Sequence, residues 1–334
     1  MRHIRRRRRV RRVHQAEAGG IGSRIIGAVM LAGALAGLWW SESRLAEQAR
    51  LLEAGRSAAV SVSADRVERG NDGRLIHITG RAVTDAVLQD GEFGVSENAL
   101  KLQRIVEMYQ WEERKTERRR QDASGHTVVE DRYSYNRVWS NRVINSDRFY
   151  ERRHRNPSSM PFQSRTYAAP DIRIGAFRLD DVFLPDLDMY AEYPLSPSHL
   201  QNVAEELQGR FTLSGDVFYA GNPSMPNIGD VRIKFRIIRP LIVSVAGRQN
   251  GMVIGAYETE HGDLRLLRDG ALTAEELFDA AEQDSRRWTW WIRGGTGLLI
   301  LLGGYLLFQR SNRKEPQEES PAASQNDGEP PAAA

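Results

Sequence analysis

The chain has 334 residues, a formal net charge of +3 and no cysteine. The absence of cysteine excludes a disulfide framework, a thiolate nucleophile and any metal site built on thiolates. The charge is unevenly spread: residues 1–24 hold nine arginines against one glutamate, residues 310–334 sum to −2, and the remainder sums to −3. The alkaline character therefore belongs to the N-terminal tail, while the middle of the chain is mildly acidic.

The first predicted element is a charge-free apolar segment, residues 25–41, which follows the basic tail of residues 1–24. As a helix it would be about 25 Å long, so flanking residues must extend it across a hydrocarbon core of about 30 Å. Basic residues beside a span tend to remain cytoplasmic, which predicts a cytoplasmic tail and a transmembrane helix. A cleaved signal peptide is the alternative, but Trp39-Trp40-Ser41-Glu42 offers no small-residue cleavage site. The tail is interpreted as a topology signal and a contact for anionic lipid, not for nucleic acid.

Gly33 and Gly37 lie four residues apart in this first segment. Small residues at this spacing allow two membrane helices to approach closely. They are candidate helix-packing residues, with either a second segment of the same chain or another copy as the partner.

After the first segment, the pattern predicts a polar helix that Gly55 ends, and then a β-rich domain. Residues 59–63 and 74–80 alternate in polarity, as half-buried strands do. Residues 101–119 and 126–143 form a long candidate hairpin joined by residues 121–125. The predicted fold class is α+β, a β-rich mixed domain with a long hairpin and a few short helices, flanked by two transmembrane helices.

The hairpin carries aromatic residues at even spacing, which places those of a regular strand on one face. They form a candidate aromatic binding face, for which cross-strand packing is the alternative. The residues are Tyr109, Trp111, Tyr133, Tyr135 and Trp139.

Further along, residues 199–207 are predicted to form a short helix, and residues 231–238, 241–245 and 253–257 to form strands. Thr273 and Glu276 match a capping box, which opens an amphipathic helix that leads into the second apolar segment.

The second apolar segment, residues 288–309, is followed by three basic residues, Arg310, Arg313 and Lys314. Because basic residues flank the outer side of both segments, both termini are predicted to be cytoplasmic and residues 42–287 to form an extracytoplasmic domain. The tail, residues 310–334, is rich in Pro, Ala, Ser and Glu and is predicted to be disordered.

Tryptophans cluster where the two segments border the predicted outer domain, at the level where indoles favour lipid head groups. These interface anchors are Trp39, Trp40, Trp288, Trp290 and Trp291.

No motif of a catalytic or metal site is found in the predicted outer domain. Its histidines are dispersed, without the paired spacing of a helical zinc site. There is also no nucleophile elbow and no glycine-rich phosphate loop. His77 is interpreted as a surface or hydrogen-bonded histidine rather than a ligand. We therefore expect no enzymatic activity and no cofactor.

Several short motifs, in order along the chain, resemble the LUMA family, also called the transmembrane protein 43 family. They begin with Gly73-Arg74-Leu75-Ile76-His77-Ile78 and Val106-Glu107-Met108-Tyr109-Gln110-Trp111. Arg132-Tyr133-Ser134-Tyr135-Asn136, Asn156-Pro157-Ser158, Gly229-Asp230-Val231-Arg232 and Ala274-Glu275-Glu276 follow. The resemblance implies a large domain on the lumenal side, or in the periplasm of a bacterial member, and supplies no catalytic residues.

The family's best-known member, a protein of the endoplasmic reticulum and inner nuclear membrane, has several spans near its C-terminus, where this chain has one predicted span. The resemblance implies a non-catalytic membrane scaffold that associates with itself, with membrane lipids and with other membrane proteins. The alternatives are a lipid or envelope-ligand binding module and, third, a hydrolase-type enzyme. The arginine-rich, cysteine-free sequence favours a bacterial inner membrane, with the endoplasmic reticulum or nuclear envelope as the eukaryotic alternative.

Overall fold

The structure is a computed structural model of the chain that describes residues 3–9, 21–121 and 127–308. The predicted disordered tail, most of the basic N-terminal tail and the hairpin loop lie outside the described residues.

Two of the described α-helices are long, with 38 and 35 residues, and the third is a short turn of helix. The helices are α1 (Ile21–Ala58), α2 (Pro197–Gln201) and α3 (Ala274–Phe308).

The described strands occupy most of the chain between the two long helices. The first ten are β1 (His3–Arg9), β2 (Val60–Ser61), β3 (Leu75–Val83), β4 (Val87–Asp90), β5 (Val95–Asn98), β6 (Lys101–Gln121), β7 (Thr127–Ser140), β8 (Arg165–Ala168), β9 (Arg173–Ile174) and β10 (Phe177–Leu179). The others are β11 (Ala191–Glu192), β12 (Thr212–Leu213), β13 (Phe218–Ala220), β14 (Val231–Ile238), β15 (Leu241–Asn250), β16 (Val253–Gly255), β17 (Tyr257–Thr259), β18 (Gly262–Leu264) and β19 (Leu266–Asp269).

Most of the described strands form two principal sheets. The strands and connections of residues 59–273 make up the β domain, and β1, from the N-terminal tail, adds one strand to the edge of the first sheet. One sheet has the order β1-β7-β6-β14-β13-β12, with β11 paired to β14 and β8 paired to β6. The other has the order β19-β15-β16-β10-β9-β3-β2, and β15 also pairs with β3. The predicted mixture of helix with a β-rich domain is confirmed.

The main core lies in the β domain and is built from alternating strand residues. In β14, Val231, Ile233, Phe235 and Ile237 are buried, whereas the side chains between them are partly exposed. The Phe93 ring contacts other phenylalanine rings with centroid distances of 5.4 to 6.3 Å. Burial of apolar side chains, these aromatic rings among them, is the main stabilising contribution available to a domain without disulfides.

A second, smaller core joins the two long helices to the β domain. Leu52 of α1 and Phe278 of α3 are buried there together with Leu264. The predicted helix end at Gly55 is wrong, because α1 continues to Ala58. Gly55 instead allows close packing: a Cβ on this residue would lie 2.2 Å from Leu264 Cδ2.

The predicted hairpin is confirmed, since β6 and β7 pair antiparallel from Met108 with Ser140 to Gln121 with Thr127. The predicted capping box is also present: Thr273 N–H donates to Glu276 Oε2 at 2.8 Å, and Glu276 N–H donates to Thr273 Oγ1 at 3.2 Å.

The single helix predicted over residues 199–207 is wrong. The structure has α2, which ends at Gln201, and a separate 3-10 turn over Glu205–Leu207. Ala204 N–H donates to Glu92 O at 3.0 Å instead of to a carbonyl one helical turn earlier. This tertiary hydrogen bond interrupts the helix.

Within the described residues, one helical stretch, Ile25–Ala58, is long and apolar enough to cross a membrane. The apolar part of α3 runs to the end of the described segment at Phe308. The predicted borders between spans and domain, at residues 41/42 and 287/288, fall inside the continuous helices α1 and α3.

Candidate membrane interface and aromatic face

The helices α1 and α3 pack against each other as an antiparallel pair, which we call the stalk. Their close approach lies at Gly27 and Gly303, where a Cβ on Gly27 would lie 2.8 Å from Gly303 O. The two predicted packing residues, Gly33 and Gly37, differ in whether they face α3. A Cβ on Gly37 would lie 3.6 Å from Thr296 Cγ2, whereas a Cβ on Gly33 would meet nothing within 4 Å. Gly37 therefore faces α3, and Gly33 faces away.

Ion pairs also join the helices beyond the glycine contact. Arg293 Nη2 lies 2.7 Å from Glu42 Oε1, and Arg56 Nη2 lies 2.7 Å from Asp279 Oδ1. The first pair places a carboxylate beside Arg293, the arginine that the predicted second span contains.

The stalk exposes large apolar side chains along the predicted spans. Trp39 and Trp291 are 74% and 79% exposed, and Trp40 and Trp290 are also exposed. The Trp288 side chain lies outside the described part of the chain. Other exposed apolar residues are Ile25, Ile26, Val29, Leu35, Leu298, Leu299, Leu301, Leu302 and Tyr305. A contiguous apolar surface of this kind marks contact with lipid or protein.

The predicted aromatic face forms a ladder across β6 and β7. Tyr109 lies opposite Trp139 in the sheet register, with ring centroids 5.0 Å apart. Arg137 lies opposite Trp111, and its guanidinium is 5.7 Å from that ring's centroid. The guanidinium carbon of Arg232 also lies over the Trp139 ring, 4.6 Å from the ring centroid.

The far part of the ladder is covered by the chain that follows β7. Tyr135 is buried and stacks on His154 with a centroid distance of 4.0 Å, and Tyr133 stacks on Tyr150 at 4.5 Å. The Tyr135 hydroxyl donates to Glu113 Oε2 at 2.5 Å. Burial, reinforced by this hydrogen bond, raises the pKa of Tyr135. The rings thus pack against one another and against the following segment.

Comparison with known proteins identifies the family. The family model described as "Transmembrane protein 43" matches residues 108–312. The chain is 35% identical over 280 residues to transmembrane protein 43 of Rattus norvegicus and to that of Homo sapiens, covering 80% of this chain and 68% of each relative. It is 28% identical over 273 residues to the homologue of Drosophila melanogaster, covering 80% of this chain and 71% of the relative. The chain belongs to the transmembrane protein 43 family. The resemblance seen in its sequence motifs is confirmed, and no solved structure matches.

In this family member, a buried ion pair that no sequence motif indicates lies inside the β domain. Arg104 is 1% exposed and its Nη1 lies 2.9 Å from Asp90 Oδ1. Tyr167 donates its hydroxyl to Asp90 Oδ2 at 3.0 Å, and Arg104 Nε donates to Gln163 O at 3.0 Å. A charge in a strand pattern gives no signal of burial by itself, so only the folded structure reveals the pair.

His77, interpreted from the sequence as a surface or hydrogen-bonded residue, is buried in β3 of this transmembrane protein 43 homologue. Its Nδ1 lies 3.1 Å from Ser61 Oγ, beside an open polar groove of about 620 Å³. Burial lowers the pKa of His77. Among the described residues, no group of three or more His, Asp or Glu side chains is placed to hold a metal ion.

Proposed function

We propose that this protein, a membrane protein of the transmembrane protein 43 family, is a two-span scaffold that is non-catalytic and self-associating. The β domain would be extracytoplasmic and both termini cytoplasmic. Membrane lipids, further copies and other membrane proteins would be its partners.

The observation that carries the proposal is the continuity of the stalk with the β domain. α1 and α3 are unbroken from their apolar ends to the second core, where Leu52 and Phe278 are buried. A domain joined to two packed helices is held in one orientation toward the bilayer. This is the arrangement that a scaffold needs.

Two features support α3 as the second span. It packs along the apolar stretch of α1, with Gly303 against Gly27, and it exposes Leu301 and Trp291 to the surroundings. Exposed apolar side chains and close glycine contacts are typical of helices that associate within lipid.

One pairing opposes the proposed orientation. β1, in the arginine tail, pairs antiparallel with β7, from His3 with Tyr135 to Arg9 with Val129. If α1 crosses the membrane with its tail in the cytoplasm, this strand cannot reach an extracytoplasmic hairpin of its own chain. The charge rule favours the cytoplasmic tail, and the two arrangements are experimentally distinct.

The ladder's packing favours the scaffold over a module that binds ligand on these rings, because Tyr135 is buried and Tyr133 is stacked on Tyr150.

The proposed surface for self-association is the outer edge of β7. The pairing of β1 with β7 shows that this edge can hydrogen-bond to a further strand. If the tail lies in the cytoplasm, β1 cannot occupy the edge, which is then free to pair with another copy of the chain.

Labelling of single cysteines tests the topology, since the natural chain contains none. His3→Cys, Asp216→Cys and Ser311→Cys would each be exposed to an impermeant maleimide in spheroplasts, before and after the membrane is breached. We expect Asp216→Cys to react at once and the other two to react only after breaching. Immediate reaction of His3→Cys would overturn the cytoplasmic N-terminus, and immediate reaction of Ser311→Cys alone would overturn the second span.

Self-association is tested by disulfide formation in membranes. Arg132→Cys lies in the β7 edge and should cross-link two copies, whereas exposed Asp216→Cys should not. Absence of a cross-link at Arg132→Cys, together with a single copy in native mass spectra, would contradict pairing through this edge.

A further inference from the structure

Between the two helices of the stalk, beyond the exposed tryptophans, lies a cleft of about 310 Å³ that we call the interfacial cleft. The helices contact each other on both sides of it, through the Glu42–Arg293 pair and through the Arg56–Asp279 pair. The wall from α1 is apolar apart from Gln48, and the wall from α3 carries the charged groups. Its principal lining residues are Leu45, Ala49 and Leu52 from α1 and Arg286, Trp290 and Arg293 from α3.

The residues that line the cleft include two arginines, Arg286 and Arg293, and one carboxylate, Glu282. Arg293 also pairs with Glu42 at the membrane end of the cleft, so a bound anion would share the two guanidinium groups with these carboxylates. Arg286 Nη2 lies 2.6 Å from Glu282 Oε1, and its side chain is 68% exposed. Guanidinium groups present several N–H donors in a planar fork that matches the oxygens of a phosphate. The cleft can therefore receive one phosphate between its two arginines.

The apolar wall also restricts which phosphate-containing ligand the cleft can bind. Leu45 lies at the level of the two arginines; it offers nothing to a hydrated phosphate ion, but it matches the glycerol backbone and the first carbons of an acyl chain. Trp290 lines the same cleft, and indoles favour the head-group level of a bilayer.

We propose that the interfacial cleft binds one anionic phospholipid, such as a phosphatidylglycerol, from the leaflet on the side of the β domain. The proposal rests on the two-span arrangement proposed above. The phosphate lies between Arg286 and Arg293, the glycerol lies against Leu45, and the acyl chains extend toward the bilayer.

The chain offers a matched pair of arginines for the test. Arg286 and Arg287 are adjacent, 68% and 76% exposed, and each is paired with a carboxylate one helical turn earlier, Glu282 and Asp284. Only Arg286 lines the cleft. Full-length wild type, Arg286→Gln and Arg287→Gln would be placed in bilayer discs of phosphatidylcholine containing a minor fraction of phosphatidylglycerol, and retained lipids would be counted by native mass spectrometry.

We expect the wild type and Arg287→Gln to retain about one phosphatidylglycerol per chain, and Arg286→Gln to bind it about tenfold more weakly, as fits the loss of a charge-assisted hydrogen bond. Equal losses in the two variants would overturn the proposal, because the lipid would then follow overall surface charge. Absence of retained phosphatidylglycerol in the wild type would overturn it as well.

A second pair tests the cavity without changing charge. Ala49 and Ala46 are both exposed on α1, but only Ala49 lines the cleft. Ala49→Trp should fill the cleft and abolish lipid retention, whereas Ala46→Trp should retain the lipid. Retention by Ala49→Trp would contradict the proposal, as would displacement of the lipid by an equal concentration of inorganic phosphate. Cysteine labelling reports the topology separately, so a correct topology with no difference between paired variants rejects the lipid site alone.

Discussion

The stalk and the β domain distribute the same residue types in opposite ways. In the stalk, many leucine and tryptophan side chains face outward, and the contact between the helices includes Gly27, Gly303 and ion pairs. In the β domain, aliphatic and phenylalanine side chains face inward. The contrast indicates the surroundings to which each part is suited. Lipid provides no hydrophobic force between helices, so small residues and polar pairs join helices there. Water drives the burial of apolar side chains, as in the β domain.

The largest expected effect is in the β domain, at its buried ion pair. Arg104→Ala should destabilise the domain by about 3–5 kcal/mol, because it leaves the Asp90 carboxylate buried without its partner. The midpoint of urea unfolding of the full chain in detergent, followed by near-UV circular dichroism, measures the change.

The control for this variant is Arg236→Gln, since Arg236 pairs with Glu192 on the surface with side chains 40% and 60% exposed. It should cost less than about 1 kcal/mol. Similar losses in both variants would mean that the Asp90–Arg104 pair is not isolated from water.

A smaller effect is expected in the stalk. Gly27→Leu should separate α1 from α3, at a cost of about 1–3 kcal/mol in helix packing, because a Cβ there lies 2.8 Å from Gly303 O. Distances between spin labels on the two helices should lengthen, while the unfolding midpoint of the β domain stays constant. Gly33→Leu is the matched control and should change neither quantity, since nothing lies within 4 Å of its Cβ.

A smaller loss of stability is expected from a substitution in the aromatic ladder. Tyr133→Ala removes the stacked contact with Tyr150, and pairs of this kind contribute about 0.5–1.5 kcal/mol. The urea midpoint should fall slightly, and lipid retention in bilayer discs should not change. A loss of lipid binding with no loss of stability would instead favour a ligand site on the rings.

The smallest expected effect concerns pH. Burial lowers the pKa of His77 below its ordinary value in the folded state, so the unfolded chain binds the proton more readily. Stability is therefore greatest above the unfolded pKa and falls as the pH drops below it. Melting temperatures of wild type and His77→Asn, compared from neutral to mildly acidic pH, should converge on acidification. A constant difference between them would show that His77 does not titrate in this range.

The sequence could predict features that are local. The connecting residues 121–125 and the even spacing of Tyr133, Tyr135 and Trp139 predicted the hairpin of β6 and β7, and the spacing of Thr273 and Glu276 predicted the start of α3. The spacing of Gly33 and Gly37 could not show which of them faces α3, because that depends on how the helices are rotated.

Features that depend on distant segments could not be predicted. β14 lies beside β6 although more than a hundred residues separate them, and Arg104 meets Asp90 only because the strands and loops around them are assembled. The same limit applies to the helix predicted over residues 199–207, which a hydrogen bond from Ala204 to Glu92 interrupts.

Because α1 is one continuous helix, a change in its tilt at the apolar end is transmitted to the β domain. The 38 residues of α1 extend over about 57 Å at 1.5 Å per residue. With no hinge between the apolar end and the second core, a change of about 10° in helix tilt would displace the far end by about 10 Å. Tilt follows the thickness of the surrounding bilayer, so the β domain would convert a change in membrane thickness into a change in its own height and angle above the surface.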